Sequence, residues 1–276
     1  MKKRLKLKKE GRIFFGIIFI ISFILFIYSF SNIYKWHHDN KHTDNQVEII
    51  INKVQIQEVK DNNNTEIINS ENKEPETSPY WTYIKMPLIN VNFDELRKVN
   101  NETIGWINVA GTNVNYPFVQ TKDNDYYLNH SFDKTKNKAG WIFLDYRNSI
   151  VNLNKNTIVY GHSRVNNTMF GSLKNTLNNN WFKNKDNHII KLSTDVENSL
   201  WQIFSIYTIP TTNDYIKTDF NNEKDFLNFI NTITKRSIYK FNSIVTESDN
   251  ILTLSTCHKT DERLVIHAKL IKKEAK

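Results

Sequence analysis

The chain has 276 residues, 24% of them charged, a formal net charge of +8 and a single cysteine. The first twelve residues hold seven basic groups and one acidic group, so the remainder carries only +2, and the basic balance points to no nucleic-acid partner. One cysteine excludes an intramolecular disulfide and with it the small disulfide-scaffold class, so stability has to come from a hydrophobic core.

Residues 13–34 form an uncharged, largely apolar run, and roughly 20 such residues are enough to cross a bilayer as a helix. Tyr28, Tyr34 and Trp36 near its far end suit the membrane interface. The basic residues Lys2, Lys3, Arg4, Lys6, Lys8, Lys9 and Arg12 precede it, and positive charge stays on the cytoplasmic side. The pattern predicts a cytoplasmic segment over 1–12, a transmembrane signal anchor over 13–34 and an extracytoplasmic remainder. A cleaved signal peptide is the other reading, but its apolar region is usually about 7–15 residues and ends in a small-residue cleavage site. This run is longer and no Ala-x-Ala follows.

Residues 37–79 are rich in Asn, Glu, Lys, Asp and Thr. The stretch from Lys60 to Pro79 lacks the apolar residues to bury a core, which predicts a tether over 35–79. The alternative is a small helical subdomain on the main body, built from apolar residues such as Val47, Ile50, Ile51 and Val54.

From Tyr80 the texture changes. A short helix is expected over 92–100 after an Asn cap, then a hairpin of strands 104–109 and 114–119 around Ala110-Gly-Thr-Asn113. Further strand-like runs cover 140–145, 157–162, 188–194, 200–209, 251–257 and 264–271, with helical candidates at 168–177 and 223–235. In the latter, Phe226, Leu227, Phe229, Ile230 and Ile233 fall at helical spacing. The fold class is mostly β with peripheral helices: an eight-stranded closed barrel over 80–276, preceded by the N-terminal transmembrane helix.

The lone Cys257 ends the run Ile251-Leu-Thr-Leu-Ser-Thr-Cys257. Thiolate is the nucleophilic form of cysteine, and a nearby base or cation makes it accessible. Of the eight histidines, His37, His38 and His42 lie beside the membrane segment, and His130 and His188 sit at loop or strand edges. His258 follows Cys257 and so projects to the opposite face, while His267 is mid-strand. His162 alone ends a strand, Thr157-Ile-Val-Tyr-Gly-His162, and opens a loop, a position suited to catalysis. Arg263 supplies a permanent planar fork of N–H groups that can hold a carbonyl or a developing oxyanion. Ser255 shares the strand face with Cys257 by the period of two.

Thr253-Leu-Ser-Thr-Cys257 resembles the signature of the sortase family, in which the cysteine ends a TLxTC strand. Tyr160-Gly-His162 with Met169-Phe-Gly-Ser-Leu173 resembles the segment carrying the family's histidine, and Arg263-Leu-Val the one carrying its arginine. The serine in TLSTC, the YGH…MFGSL block and the helix before the cysteine strand resemble class B members, over about residues 80–272. Five residues separate Cys257 from Arg263, which is short for the family and demands a tight loop.

The resemblance implies a sortase-type β-barrel and a membrane-anchored cysteine transpeptidase with Cys257, His162 and Arg263 as its catalytic set. Ser255, Thr256, Asn124, Leu128, Thr211, Tyr215 and Ile216 are then the substrate-binding positions. The implied partners are secreted proteins bearing a C-terminal sorting signal, and an amine of a peptidoglycan precursor or a pilin. The enzyme would sit in the cell membrane as a single-pass protein with its catalytic domain outside. No cofactor is implied, and no His or Cys spacing points to a metal. A cysteine peptidase hydrolysing the same motif and a non-catalytic envelope-binding barrel are the competing readings.

Overall fold

The apolar N-terminal run contains no proline and propagates as helix, α1 (Lys9–Lys53). The structure is a computed structural model that describes residues 8–68, 74–258 and 261–276, with the side chains of Cys257 and His258 outside the described atoms. The chain divides into two compact units, one up to Asp44 and one from Asn45 onward. In the first, every large apolar side chain from Ile13 to Trp36 is exposed. The helix is long and apolar enough to cross a membrane, where such a surface meets hydrocarbon in place of water.

In the second unit, two short strands, β1 (Ile56–Val59) and β2 (Thr65–Ile67), and a one-turn helix, α2 (Tyr80–Tyr83), precede β3 (Leu88–Val91) and α3 (Asp94–Val99). The barrel strands follow: β4 (Thr103–Val109), β5 (Asn115–Val119), β6 (Phe143–Leu144) and β7 (Asn156–Tyr160). After the small helix α4 (Asn179–Lys183) come β8 (Ile189–Thr194) and β9 (Glu197–Pro210), then α5 (Glu223–Lys235), β10 (Ile251–His258) and β11 (Glu262–Ala275). The ladder runs β10-β7-β6-β5-β4-β8-β9-β11, and β10 pairs back onto β11. Eight strands therefore close on themselves, which leaves no free barrel edge. The eight runs read from the sequence are these eight strands. β6 is shorter than expected, and β7 stops at Tyr160, so His162 stands two residues beyond its strand.

Both faces of β10 are covered, which explains its nearly unbroken burial. Leu252 and Leu254 pack in the main core with Trp106, Trp201 and Ile266. On the other face, Ile251 packs under α5 with Val265, Phe226, Phe229 and Ile233. Helix α5 starts where the Asn222 side chain accepts from the Asp225 amide at 2.9 Å, a cap worth about 1 kcal/mol. The run expected as a helix over 168–177 is a 3-10 turn (Gly171–Leu177). A Cβ at Gly171 would run into the Arg164 carbonyl, a close approach that only glycine allows in this turn.

Residues 45–68 and 74–79 differ from the tether expected over 35–79, and 69–73 lie outside the described residues. Helix α1 continues to Lys53, and Val47, Ile50 and Val54, spaced along one helical face, pack on the main core. β1 pairs with β3, and β2 extends the sheet beside β11. The Glu74 carboxylate meets the Lys269 ammonium at 2.6 Å, with both side chains 2% exposed. Lys272, fully buried, bonds Asp61 and the Met86 carbonyl at 2.6 Å each. These lysines lie 195 and 211 residues beyond their carboxylates, so composition within 35–79 could not show them. β3 also escaped the sequence reading.

Candidate active site

Strands β7 and β10 run parallel, with Tyr160 and Ser255 as register partners. Parallel neighbours end on the same rim. His162 and Cys257 each stand two residues beyond that pair, so the ladder brings the two positions to one edge of the barrel. The Gly161 amide donates to the Ser255 carbonyl at 3.3 Å and carries the linkage past the strand end. The chain then folds back: the Phe170 amide donates to the His162 carbonyl at 3.0 Å, and Ser163 bridges Met169. Met169, Phe170 and Leu173 are buried in the core, so the MFGSL block anchors the histidine loop from beneath.

The His162 ring is oriented by the Leu128 carbonyl, 2.8 Å from Nε2. A carbonyl only accepts, so Nε2 carries the proton and Nδ1 is the nitrogen left for acid–base work. Gly140, at φ +62°, makes this possible. A Cβ there would sit 2.7 Å from His162 Cδ2 and 2.6 Å from the Tyr127 carbonyl. Nothing in the local sequence pattern marked Gly140, because its constraint comes from a ring on another loop.

Arg263 is the second residue of β11 and the register partner of Cys257 across the β10–β11 pair. The tight connection places the two positions side by side, since opposed residues of an antiparallel pair are neighbours. Arg263 is half-buried, and its Nη1 donates to the Glu262 carbonyl at 3.2 Å. The Cys257 thiol lies outside the described atoms, as does the orientation expected of His258.

A cleft of about 280 Å³ opens here, and His162 and Arg263 both line it. The expected binding positions Ser255, Thr256, Asn124 and Leu128 line it as well, as do Thr211, Tyr215 and Ile216. Phe143, Tyr160, Thr212 and Asn213 line it too. The Tyr215 hydroxyl lies 2.9 Å from Ser255 Oγ, tying the segment after β9 to the cysteine strand. Thr256 Oγ1 is buried without a hydrogen-bond partner among the described residues.

Beneath the cleft lies Asp145, fully buried. Its Oδ2 accepts from Asn124 Nδ2 at 3.1 Å, Tyr160 Oη at 2.9 Å and Arg147 Nη2 at 2.6 Å. Its Oδ1 accepts from the Arg147 amide and Nε. Burial pushes the carboxyl up, but the hydrogen bonds from Arg147 and Tyr160 outweigh it and hold the group below the usual carboxylate range. Burial, then the Asp145 charge, push the Tyr160 phenol up, so it remains a donor. The Asp-x-Arg spacing was a local signal for this pair that the sequence reading passed over.

Comparison with known proteins agrees with this geometry. A family model described as the sortase domain matches residues 107–271. Sortase B of Staphylococcus aureus is 38% identical over 188 residues, covering 67% of this chain and 76% of that protein. Sortase B of Listeria monocytogenes is 36% identical over 183 residues, covering 65% and 74%. Among solved structures, a Staphylococcus aureus sortase B–substrate complex superposes with a TM-score of 0.61 at 39% identity, covering 65% of this chain and 84% of that one. Sortase B from Bacillus anthracis in complex with the compound AAEK2 gives a TM-score of 0.65 at 35% identity, covering 86% and 97%. The chain belongs to the sortase family, cysteine transpeptidases of the cell envelope, and its relatives are the class B members.

Proposed function

We propose that this enzyme cuts a C-terminal sorting motif of secreted proteins after a threonine and joins the new acyl group to an amine of the envelope. The observation that carries the reading is the convergence of His162, Arg263 and the end of β10 on one cleft. In the first step the Cys257 thiolate attacks the threonine carbonyl carbon, and the S–C bond forms as the scissile C–N bond breaks. His162 gives its Nδ1 proton to the departing amine. In the second step an incoming amine attacks the thioacyl carbon, loses a proton to His162, and the S–C bond breaks to restore the thiolate.

Arg263 holds the substrate carbonyl and steadies the oxyanion in both steps, because its fork stays charged and planar. Holding the acyl donor and the amine together in the cleft lowers the barrier by proximity. The acceptor is an amine of a peptidoglycan precursor or a pilin. A solved sortase B is complexed with triglycine, which supports an oligoglycine as the probe.

The seven basic residues before Ile13 support a cytoplasmic N-terminus with the catalytic unit outside. On the outer membrane face the enzyme would meet both secreted substrates and lipid-linked precursors.

The test is to incubate the full chain in detergent with fluorogenic peptides of the NPQTN, LPxTG and SPxTG types, with and without triglycine. Cleavage that requires Cys257, together with a glycine-linked product, is expected. Cleavage with no amine capture would leave a hydrolytic peptidase, and no thiol-dependent cleavage at all would remove the transpeptidase reading.

A further inference from the structure

Three walls of the cleft come from separate parts of the chain: the loop holding Asn124 and Leu128, the end of β7 with Tyr160, and the segment after β9 holding Asn213, Tyr215 and Ile216. The end of β7 is held by its ladder with β6 and β10, the other two lie outside the barrel ladder, and all three are tied to Asp145 through a side chain. Asn124 and Tyr160 donate to Asp145 directly. Arg147, which forks onto both Asp145 oxygens, donates from Nη2 to the Ile216 carbonyl at 3.0 Å. Asn124 closes the circuit, because its Oδ1 accepts from the Tyr146 amide at 3.0 Å, next to Asp145 in the chain. The first wall also ends at Leu128, whose carbonyl orients His162.

A fully buried carboxylate with five donors is costly to build unless each bond is made. Satisfied bonds to one rigid group fix the relative positions of everything attached to it.

We propose that Asp145 is a positioning residue: its buried carboxylate sets the spacing of the three cleft walls, and so governs how tightly the sorting peptide is held, while touching no reacting atom. The proposal rests on the transpeptidase reading for its consequence in catalysis. Its structural content, that one carboxylate braces the two walls outside the ladder against the end of β7, stands apart from that reading.

Asp145→Asn keeps the shape but replaces one acceptor oxygen by an amide nitrogen that faces donors. Arg147→Lys keeps the charge but removes the fork that spans Asp145 and Ile216. The full chain in detergent would be compared with both variants by hydrogen–deuterium exchange without peptide. In Asp145→Asn, exchange over 124–128 and 213–217 is expected to rise by about tenfold or more, the size set by losing a hydrogen bond to a charged group, with β4 and β8 unchanged. In Arg147→Lys the rise is expected over 213–217 alone.

With an NPQTN-type fluorogenic peptide, Asp145→Asn should raise KM by about tenfold and lower kcat by less than that, since binding geometry is lost while the reacting groups remain and only the Leu128 wall behind His162 loosens. Unchanged exchange in both segments would overturn the proposal, and so would a fall in kcat with KM intact. If Asp145→Asn does not fold, Arg147→Lys decides: loosening confined to 213–217 supports the brace, and none there removes it. If the wild type cleaves no sorting peptide, the transpeptidase reading fails, while exchange still decides whether Asp145 braces the cleft.

Discussion

Cys257 and Arg263 are direct partners across the β10–β11 ladder, one rung inside the last pair, His258 with Glu262. Their short separation in sequence is therefore the shortest route to adjacency: the chain reverses and returns the arginine opposite the cysteine. Replacing Cys257 by Ala should abolish transpeptidation with the far-UV spectrum unchanged. Arg263→Lys retains a positive charge but not the planar fork, and kcat/KM should fall by roughly a hundredfold or more, the usual cost of an oxyanion donor. Full activity in Arg263→Lys would remove the arginine from the mechanism.

Gly140 and His162 give a second prediction. An alanine at Gly140 would press on the His162 ring at 2.7 Å, and φ +62° is a left-handed conformation. The strain should lower stability by about 1–2 kcal/mol. Displacing the ring from the Leu128 carbonyl should lower kcat by more than about tenfold, a size typical of disturbed acid–base catalysis. Thermal melting and single-turnover kinetics would separate the two effects; a variant that melts lower yet reacts at the wild-type rate would show that the ring is not displaced.

A buried polar chain under α5 makes a pH prediction. Asn156 Nδ2 is committed to the Tyr215 and Lys217 carbonyls, so its Oδ1 accepts from Thr253 Oγ1 at 2.6 Å. Thr253 must then accept from His267 Nδ1 at 2.8 Å, and His267 Nε2 accepts from the Tyr207 hydroxyl at 2.9 Å. Burial, helped by the nearby Arg236 charge, lowers the His267 pKa to about 3. The unfolded chain binds a proton at about pH 6.5 that the native ring refuses. Stability is therefore complete above about 6.5 and declines as pH falls toward 3, by at most roughly 1.4 kcal/mol per unit from this group. Urea titrations between about pH 7 and 4 should show a shallower decline for His267→Gln than for wild type. Parallel declines would assign the acid sensitivity elsewhere.

The Glu74–Lys269 pair predicts where a soluble fragment must begin. A fragment of residues 80–276 loses β1, β2 and Glu74 and leaves Lys269 buried without its carboxylate. An unpaired buried charge costs about 3–5 kcal/mol, a large share of a domain's stability. A fragment of residues 45–276 should be soluble and melt cooperatively, while 80–276 should aggregate or melt well below it. Equal melting temperatures would show that the N-terminal strands and the ion pair add little.

Local and periodic features were legible in the chain alone. The uncharged run announced the long helix, and strand-like runs bounded by turn residues announced all eight barrel strands. The 3.6-residue spacing of Phe226, Phe229, Ile230 and Ile233 set α5, and the residues around Cys257, His162 and Arg263 carried the family resemblance. These signals survive without the fold because each lies in a short stretch of consecutive residues, or in motifs whose residue types are specific.

The remainder came from pairing between distant segments. Parallel alignment of β7 with β10 put the histidine and cysteine positions on one rim. Lys269 and Lys272 captured a polar segment that reads as a tether, and Asp145 gathered three unrelated stretches beneath the cleft. Each of these rests on a buried charge or a ladder partner far along the chain. Its energy depends on exclusion from water, and exclusion from water exists only once the barrel has closed.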